Sequence, residues 1–273
     1  IRRPGKLPAG ISCRDAGLGP FLSSHPMRHF LLLFLAAALV SAPIPEASIA
    51  KKGELLFADD FSGAQPDARW VKVVQTFSVE GGVLKGVQTR VKDEPTKDGK
   101  GVIKAHAAVH GLNVPTKDSV VEVRVRLDGA TMMDVELDDR EYKGAHYGHL
   151  CRAQLRLDPK TGKGSVVIID EKEGGMRNDI RAMKDDPAKK AEMTKLLVGR
   201  SASFPAEVVR GKWHTLVVEI VGDQIRVVLD GKPAGYLKSP GIAHATKSRF
   251  EFGVAGQGGE FDDLKVYAAS PAN

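Results

Sequence analysis

Short runs of Val, Ile, Leu and Phe recur along the chain, separated by Gly, Asp and Lys, and this spacing constrains the fold most strongly. Within several runs, apolar and polar residues alternate, which is the period of an extended strand with one buried face. Gly81-Gly82, Gly222-Asp223 and Asp230-Gly231 supply two-residue turn signals between runs, as β-hairpins require. The chain is therefore predicted to be an antiparallel all-β sandwich.

The runs define the predicted strands, which cover residues 55–61, 70–74, 83–85, 104–109, 120–127, 132–138, 149–157, 166–170, 213–221, 224–230, 234–237, 250–254 and 261–267. One segment departs from the pattern, since Asp186 is a capping residue, Pro187 fits a first helical turn and Gly199 terminates a helix. We predict one short inserted helix near 186–199, within an excursion over 174–204. Such an excursion either contributes to function or covers a sheet edge.

The N-terminal part has the pattern of a secretory signal peptide over 27–50. A basic start, an apolar run over 30–40 and a small-x-small cleavage site before Lys51 are all present. The apolar run is shorter than the roughly 20 residues that span a bilayer, so no stable membrane insertion is expected after cleavage. Residues 1–26 are interpreted as a mis-assigned upstream extension. The protein is therefore predicted to be secreted or periplasmic, with one domain over 51–273.

Charge and cysteine content argue against a nucleic-acid-binding protein and against a domain held by a disulfide bond. Residues 1–50 hold five basic and two acidic residues, so removing them lowers the formal net charge from +6 to +3. No basic block interleaved with aromatic residues remains, and nucleic-acid binding is not expected. Cys13 lies in the excluded part, which leaves Cys151 without a disulfide partner. Cys151 shares a strand face with Ala153 and Leu155, so we predict a small buried side chain rather than a reactive thiol.

The stretch 132–157 is the densest in reactive side chains. Alternation along a strand places three carboxylates on one outward face: Asp134, Glu136 and Asp138. The following strand presents three polar side chains outward: Arg152, Gln154 and Arg156. In that strand, His149 falls in the inward register with Cys151. If the two strands are neighbours, they present one continuous polar face.

Two longer stretches carry a resemblance to a known group of proteins. The chain reads GKWHTLVVEIVGDQIRVVLDGKPAGYLKSPGI and then FEFGVAGQGGEFDDLKVY near its end, and LLFADDFSG near the start of the domain. These stretches resemble concanavalin A-like lectin/glucanase domains of the laminin G-like kind. Within that group, the sequence is similar to exported bacterial proteins related to the 3-keto-disaccharide hydrolase family. The resemblance implies an all-β, antiparallel two-sheet jelly-roll sandwich, carbohydrate as the partner and a saccharide groove on one sheet.

The acidic strand has two interpretations under this resemblance. In the first, Asp134, Glu136 and Asp138 act as nucleophile, acid or base on a glycosidic bond. Family 16 glucanases use E-x-D-x-E or E-x-D-x-x-E on a similar fold, whereas this chain has D-x-E-x-D, so their catalytic roles are not transferred. In the second, the acids pair with Arg152 and Arg156 across a hairpin and form only a charge ladder. The two interpretations can coexist if the arginines orient the acids.

The loop after the acidic strand supplies further candidates. His146 or His149 can act as a general base. Alternatively, both histidines bind zinc together with Asp138 or Glu141. Tyr142 and Tyr147 offer flat surfaces for a sugar ring, or simply pack the loop. Arg152 and Arg156 can orient acids or sugar hydroxyls. Glu171 reaches the groove only if the helical excursion folds over it.

A structural calcium ion is the one cofactor that the sequence suggests. Asp60 and Asp262 come from the first and last predicted strands, which such folds bring close together, and calcium prefers oxygen ligands of this kind. Paired acidic turn residues also simply end strands. The sequence thus predicts an exported carbohydrate-active protein that hydrolyses or eliminates (keto-)glycosides. The alternative is a non-catalytic carbohydrate-binding or surface-interaction module.

Overall fold

The computed structural model describes residues 43–63, 67–74 and 76–272, which pack as one unit. Strands dominate this part of the chain. They are β1 Ala50–Asp59, β2 Trp70–Lys72, β3 Phe77–Glu80, β4 Val83–Gly86, β5 Glu94–Pro95, β6 Val102–Ile103, β7 Ala108–Leu112, β8 Ser119–Leu127, β9 Ala130–Asp138, β10 His149–Leu157, β11 Gly164–Asp170, β12 Ser201–Ala206, β13 Trp213–Val221, β14 Gln224–Leu229, β15 Lys232–Lys238, β16 Arg249–Gly256 and β17 Gly259–Pro271.

Two large antiparallel sheets form the predicted sandwich. The first has the order β15-β14-β13-β8-β17-β4-β3, with β1 paired to β17. The second has the order β12-β11-β10-β9-β16-β7-β2, and β5 and β6 form a separate two-stranded arm. The last two strands of the chain therefore lie inside the sheets, β17 between β8 and β4, and β16 between β9 and β7.

The core between the sheets follows the alternation read from the sequence. Val121, Val123 and Val125 of β8 face Val135 and Leu137 of β9 across a single apolar cluster. Each such side chain contributes about 1.5–3 kcal/mol by leaving water. Cys151 is buried in this cluster, as predicted, and burial raises the pKa of its thiol to about 12. That pKa leaves essentially no thiolate at neutral pH.

The helical excursion is also present where predicted. Its α-helices are α1, Asn178–Ala182, and α2, Lys190–Leu196, and a 3₁₀ turn over Pro187–Lys189 leads into α2. The Asp186 carboxylate accepts a hydrogen bond of 2.9 Å from the Ala188 N–H, which satisfies one of the free donors at the start of the turn. Gly199 ends the excursion with φ +71°. None of the helices in the described residues has the length and apolar character needed to cross a membrane.

The segment before β1 is bound to the first sheet through a buried ion pair. Arg226 lies 3.0 Å from Glu219 and donates hydrogen bonds of 2.7 Å to the carbonyl oxygens of Pro45 and Glu46. Glu219 in turn accepts a bond of 2.9 Å from the N–H of Ile49. The cleavage point predicted after residue 50 falls within β1. Residues 1–26, and the predicted leader up to residue 42, lie outside the described residues.

Candidate active site

A cavity of about 630 Å³ lies on the outer face of the second sheet. Its floor is made by β9, β10, β16 and β7. Its rim comes from the loop that follows β9, from Met176 of the helical excursion, and from the chain on either side of the β5–β6 arm. The stretch 132–157 therefore meets distant parts of the chain at this one place.

The three acids of β9 share the face that turns away from the core, as alternation predicts. They are not solvated, however, because Asp134, Glu136 and Asp138 are only 3%, 4% and 0% exposed. Asp134 and Glu136 line the cavity, and Asp138 lies beneath it. Opposite Asp134, Gly253 of β16 leaves space for the carboxylate, since a Cβ at that position would collide with it.

His149 faces the acids, and its predicted inward orientation is wrong. The pairing of β10 with β9 shifts between His149 and Cys151, so that Leu150 is an extra residue in the ladder. This β-bulge lets Leu150 and Cys151 both enter the core and turns His149 to the outer face. The Nδ1 atom of His149 lies 2.8 Å from Glu136 Oε1 and 3.0 Å from Asp138 Oδ1.

Of the two arginines predicted to pair with the acids of β9, Arg152 forms these ion pairs and Arg156 does not. The Arg152 guanidinium lies 2.6 Å from Glu136, 3.3 Å from Asp134 and 2.8 Å from Glu171. Glu171 therefore reaches the site through Arg152, although it does not line the cavity. Arg156 stands opposite Met132 and donates its hydrogen bonds to the Gln154 side chain.

Glu251 of β16 is a site residue that the sequence reading missed. It pairs directly with Glu136 across the β9–β16 ladder, is 3% exposed and lines the cavity. Arg140 and Arg249 approach its carboxylate only to 3.9 and 3.8 Å. The available signal was a lone acid between Phe250 and Phe252, because an acid in the middle of an apolar strand requires a partner or a function.

The pKa values of His149, Glu136 and Glu251 indicate that the histidine is a cation and that the two glutamates share a proton. Burial lowers the pKa of His149, but hydrogen bonds to Asp138 and Glu136 outweigh it and raise that pKa to about 10. Burial raises the pKa of Glu136 to about 7, against the opposing charge of Arg152. Burial and the charges of Asp138 and Glu136 raise the pKa of Glu251 to about 8. At neutral pH, His149 is therefore an imidazolium rather than a general base, and Glu251 holds a proton.

The loop residues lie around the cavity rather than on its floor. Tyr147 lines the rim, is 68% exposed and has φ +50°. His146 contacts Tyr147 with ring centroids 4.4 Å apart and lies 6.2 Å from the His149 ring. Tyr142 packs against His244 and the core, so it offers no surface to the cavity.

The potential metal ligands group differently from the sequence prediction. Within the described ranges, the group close enough to hold one ion is Glu136, Asp138 and His149. Arg152 and the His149 proton already occupy that space with positive charge. Asp60 accepts hydrogen bonds from Ser62, and Asp262 pairs with Arg124 at 3.1 Å. Among the described residues, no third Asp, Glu, His or Cys side chain lies close enough to complete the predicted calcium site.

Comparison with solved structures identifies the fold. A non-specific endo-β-1,3(4)-glucanase from family GH16 superposes with a TM-score of 0.51 and 15% identity, over 82% of this chain and 93% of that one. The laminarinase catalytic domain of Thermotoga maritima gives a TM-score of 0.51 and 13% identity, over 80% and 99%. An endo-β-1,3-glucanase of Pyrococcus furiosus gives 0.51 and 11%, over 83% and 100%. The protein has the concanavalin A-like jelly-roll fold of these enzymes.

Sequence comparison adds nothing to this result. No protein-family model matches the chain, and no curated protein matches it.

Proposed function

We propose that this protein is a carbohydrate-active enzyme that cleaves a glycosidic bond in the cavity above β9, β10 and β16. One observation carries the proposal: Glu136 and Glu251 oppose each other on adjacent strands and line the same cavity in different electrostatic surroundings. Cleavage needs one protonated and one ionised carboxyl group. The shared fold with family GH16 glucanases supports a saccharide as the ligand.

The surroundings assign a role to each carboxyl group. Arg152 and the His149 imidazolium, 2.6 and 2.8 Å away, favour the ionised form of Glu136. Among the described residues, Glu251 has no cation closer than 3.8 Å, and it keeps its proton. Glu251 donates that proton to the leaving oxygen as the C–O bond breaks, and Glu136 attacks the anomeric carbon. Water activated by Glu251 then releases the sugar and restores both groups.

The strand geometry favours retention of configuration. Directly opposed residues in an antiparallel ladder have Cα atoms about 4.5–5.5 Å apart. With both side chains on the same face, this backbone spacing allows the carboxyl groups the separation of about 5–5.5 Å that retaining glycosidases use. Asp134 contacts Arg152 and Asp138 contacts His149, so we assign both to positioning.

Keto-glycosides belong among the substrates to be tested. The resemblance to the 3-keto-disaccharide hydrolase family motivates them, and the same pair of groups can serve an elimination. In that reaction Glu136 would remove the hydrogen next to the ketone while Glu251 protonates the leaving oxygen. The proposal also includes export to the periplasm or medium, supported by the leader pattern over 27–50 and tested by fractionation and N-terminal sequencing of the mature protein.

The test is product release from β-1,3- and mixed-linkage glucan oligosaccharides and from 3-keto-glycosides, followed by mass spectrometry and NMR. We expect Glu136→Gln and Glu251→Gln each to lower kcat by about 10²–10⁴-fold. Glu219→Gln is the matched control, because Glu219 is also buried and paired with an arginine, but on the other sheet. Equal turnover by Glu251→Gln and wild type would rule out the assigned acid.

A non-catalytic binding module is the second candidate. The observation that favours it is the double contact of Glu136 with Arg152 and His149, which ties up the carboxylate. Oligosaccharide binding by calorimetry without any product release would establish this candidate instead.

A further inference from the structure

The cations that line the cavity differ in their pairing, since Arg140 on the rim lies 3.5 Å from Asp138. On the floor, Arg152 and His149 each have a carboxylate within 3 Å. On the rim, Arg90 has no carboxylate within 4 Å among the residues that the structure describes. Arg90 is half-buried, so its guanidinium is neither neutralised nor fully solvated.

The backbone of Arg90 is held in place. Its carbonyl oxygen accepts hydrogen bonds from the His106 N–H at 3.0 Å and from the Gln88 side chain at 3.2 Å. The Gln88 side-chain oxygen accepts a bond of 2.8 Å from the N–H of Gly256 at the end of β16. The rim position is thereby connected to the strand that carries Glu251.

The charges around the cavity as a whole do not oppose an anionic ligand. Four cationic side chains line the cavity: Arg90, Arg140, Arg152 and His149. Three acids line it, namely Asp134, Glu136 and Glu251. Asp138 and Glu171 pair with His149 and Arg152 from outside the lining, so with Glu251 protonated at neutral pH the charges around the cavity balance and do not repel an anion.

We propose that the cavity takes an acidic saccharide, one with a carboxylate or sulfate group, and that Arg90 is the specificity residue that binds this group. This inference rests on the proposed function, since it names the substrate class of the same cavity. The guanidinium presents paired N–H donors that match the oxygen atoms of a carboxylate or sulfate. An unpaired arginine fixed beside the acid–base pair would select the sugar ring next to the scissile bond.

The test compares three oligosaccharides of equal length, neutral, uronate-containing and sulfated, by calorimetry and by product release. Wild-type protein is expected to bind an acidic ligand at least about tenfold more tightly than the neutral one, with affinity falling as salt rises. Arg90→Gln should lose that preference and the salt dependence, and Arg90→Lys should keep part of both. The two acidic ligands distinguish a carboxylate site from a sulfate site.

Lys104→Gln is the matched control, because Lys104 pairs with Asp93 at 2.8 Å near the same arm and does not line the cavity. It should bind acidic ligands as wild type does. Equal affinity of wild type for neutral and acidic ligands, or unchanged acidic binding by Arg90→Gln, overturns this inference and leaves the proposed function standing if the neutral ligand is cleaved. If no saccharide is bound or cleaved, both proposals fail.

Discussion

Glu136 and Glu251 define the expected pH dependence of activity. Below about 7, Glu136 takes up a proton and can no longer attack, and above about 8, Glu251 loses the proton that the leaving group needs. The profile of kcat/KM should therefore be bell-shaped, with its maximum between these values, which belong to the pair jointly. Removing the acid by Glu251→Gln should abolish the alkaline limb in whatever activity remains. A flat profile from pH 6 to 9 would contradict the assignment.

His110 sets a different pH dependence, that of stability. It is 4% exposed, stacks between Trp70 and Phe77, and neither ring nitrogen has a partner in the described structure. Burial lowers its pKa from 6.5 to about 4. Between these values the unfolded chain binds a proton that the folded protein does not, so stability should fall as pH falls, by about 2–3 kcal/mol.

The check is His110→Phe, which keeps the aromatic stack and removes the titrating group. Urea unfolding should give a free energy with a flatter slope between pH 6.5 and 4, and a gain of about 1–3 kcal/mol from removing unpaired polar atoms. His106→Gln, at an exposed position, should leave the wild-type slope unchanged. An undiminished slope in His110→Phe would assign the acid sensitivity to other groups.

The β-bulge in β10 lies next to the site residue His149. Deleting Leu150 removes the extra residue and places His149 directly before Cys151, so regular alternation should keep His149 on the outer face, opposite Asp138. Leu150→Ala keeps the bulge and should cost only the buried side chain, about 2–5 kcal/mol. NMR titration should find the His149 pKa near 10 in wild type and Leu150→Ala. The deletion variant should keep this high pKa, and a His149 pKa near 6.5 in that variant would show that the bulge itself is needed to orient the histidine.

The elements that were predictable are those with local signals. The cap at Asp186, the proline after it and the terminating Gly199 located the helical excursion, and alternation located β8 and β9. β12 was missed because its SASFPA sequence contains Pro205, which fits only an edge strand, and β12 is indeed the edge of the second sheet.

The candidate site was less predictable than the fold because its members meet only in three dimensions. Alternation placed Asp134 and Glu136 together, but a bulge leaves no mark in sequence, so His149 was given the wrong face. Glu251 and Arg90 lie about 115 and 46 positions from Glu136 along the chain, and only strand pairing and the arm bring them to it. A single sequence contains no signal for such encounters.

The complete domain includes the segment before β1. A protein that starts at Lys51 lacks the carbonyl acceptors of Arg226, and we expect its free energy of unfolding to be lower by about 2–4 kcal/mol than that of a protein starting at Pro43. In a background with both Arg226→Met and Glu219→Gln, the same truncation should cost much less. Equal losses in the two backgrounds, measured by chemical unfolding, would mean that the buried pair is not what holds the segment.

The positions of β16 and β17 determine when this chain can fold. Both strands are synthesised last, yet each fills an interior place, between β9 and β7 in one sheet and between β8 and β4 in the other. Until they emerge from the ribosome, neither sheet can close and the earlier strands have no partners at their inner edges. This domain can therefore complete its sheets only after β17 has been synthesised, and it folds slowly because the pairings that complete the sheets span most of the domain.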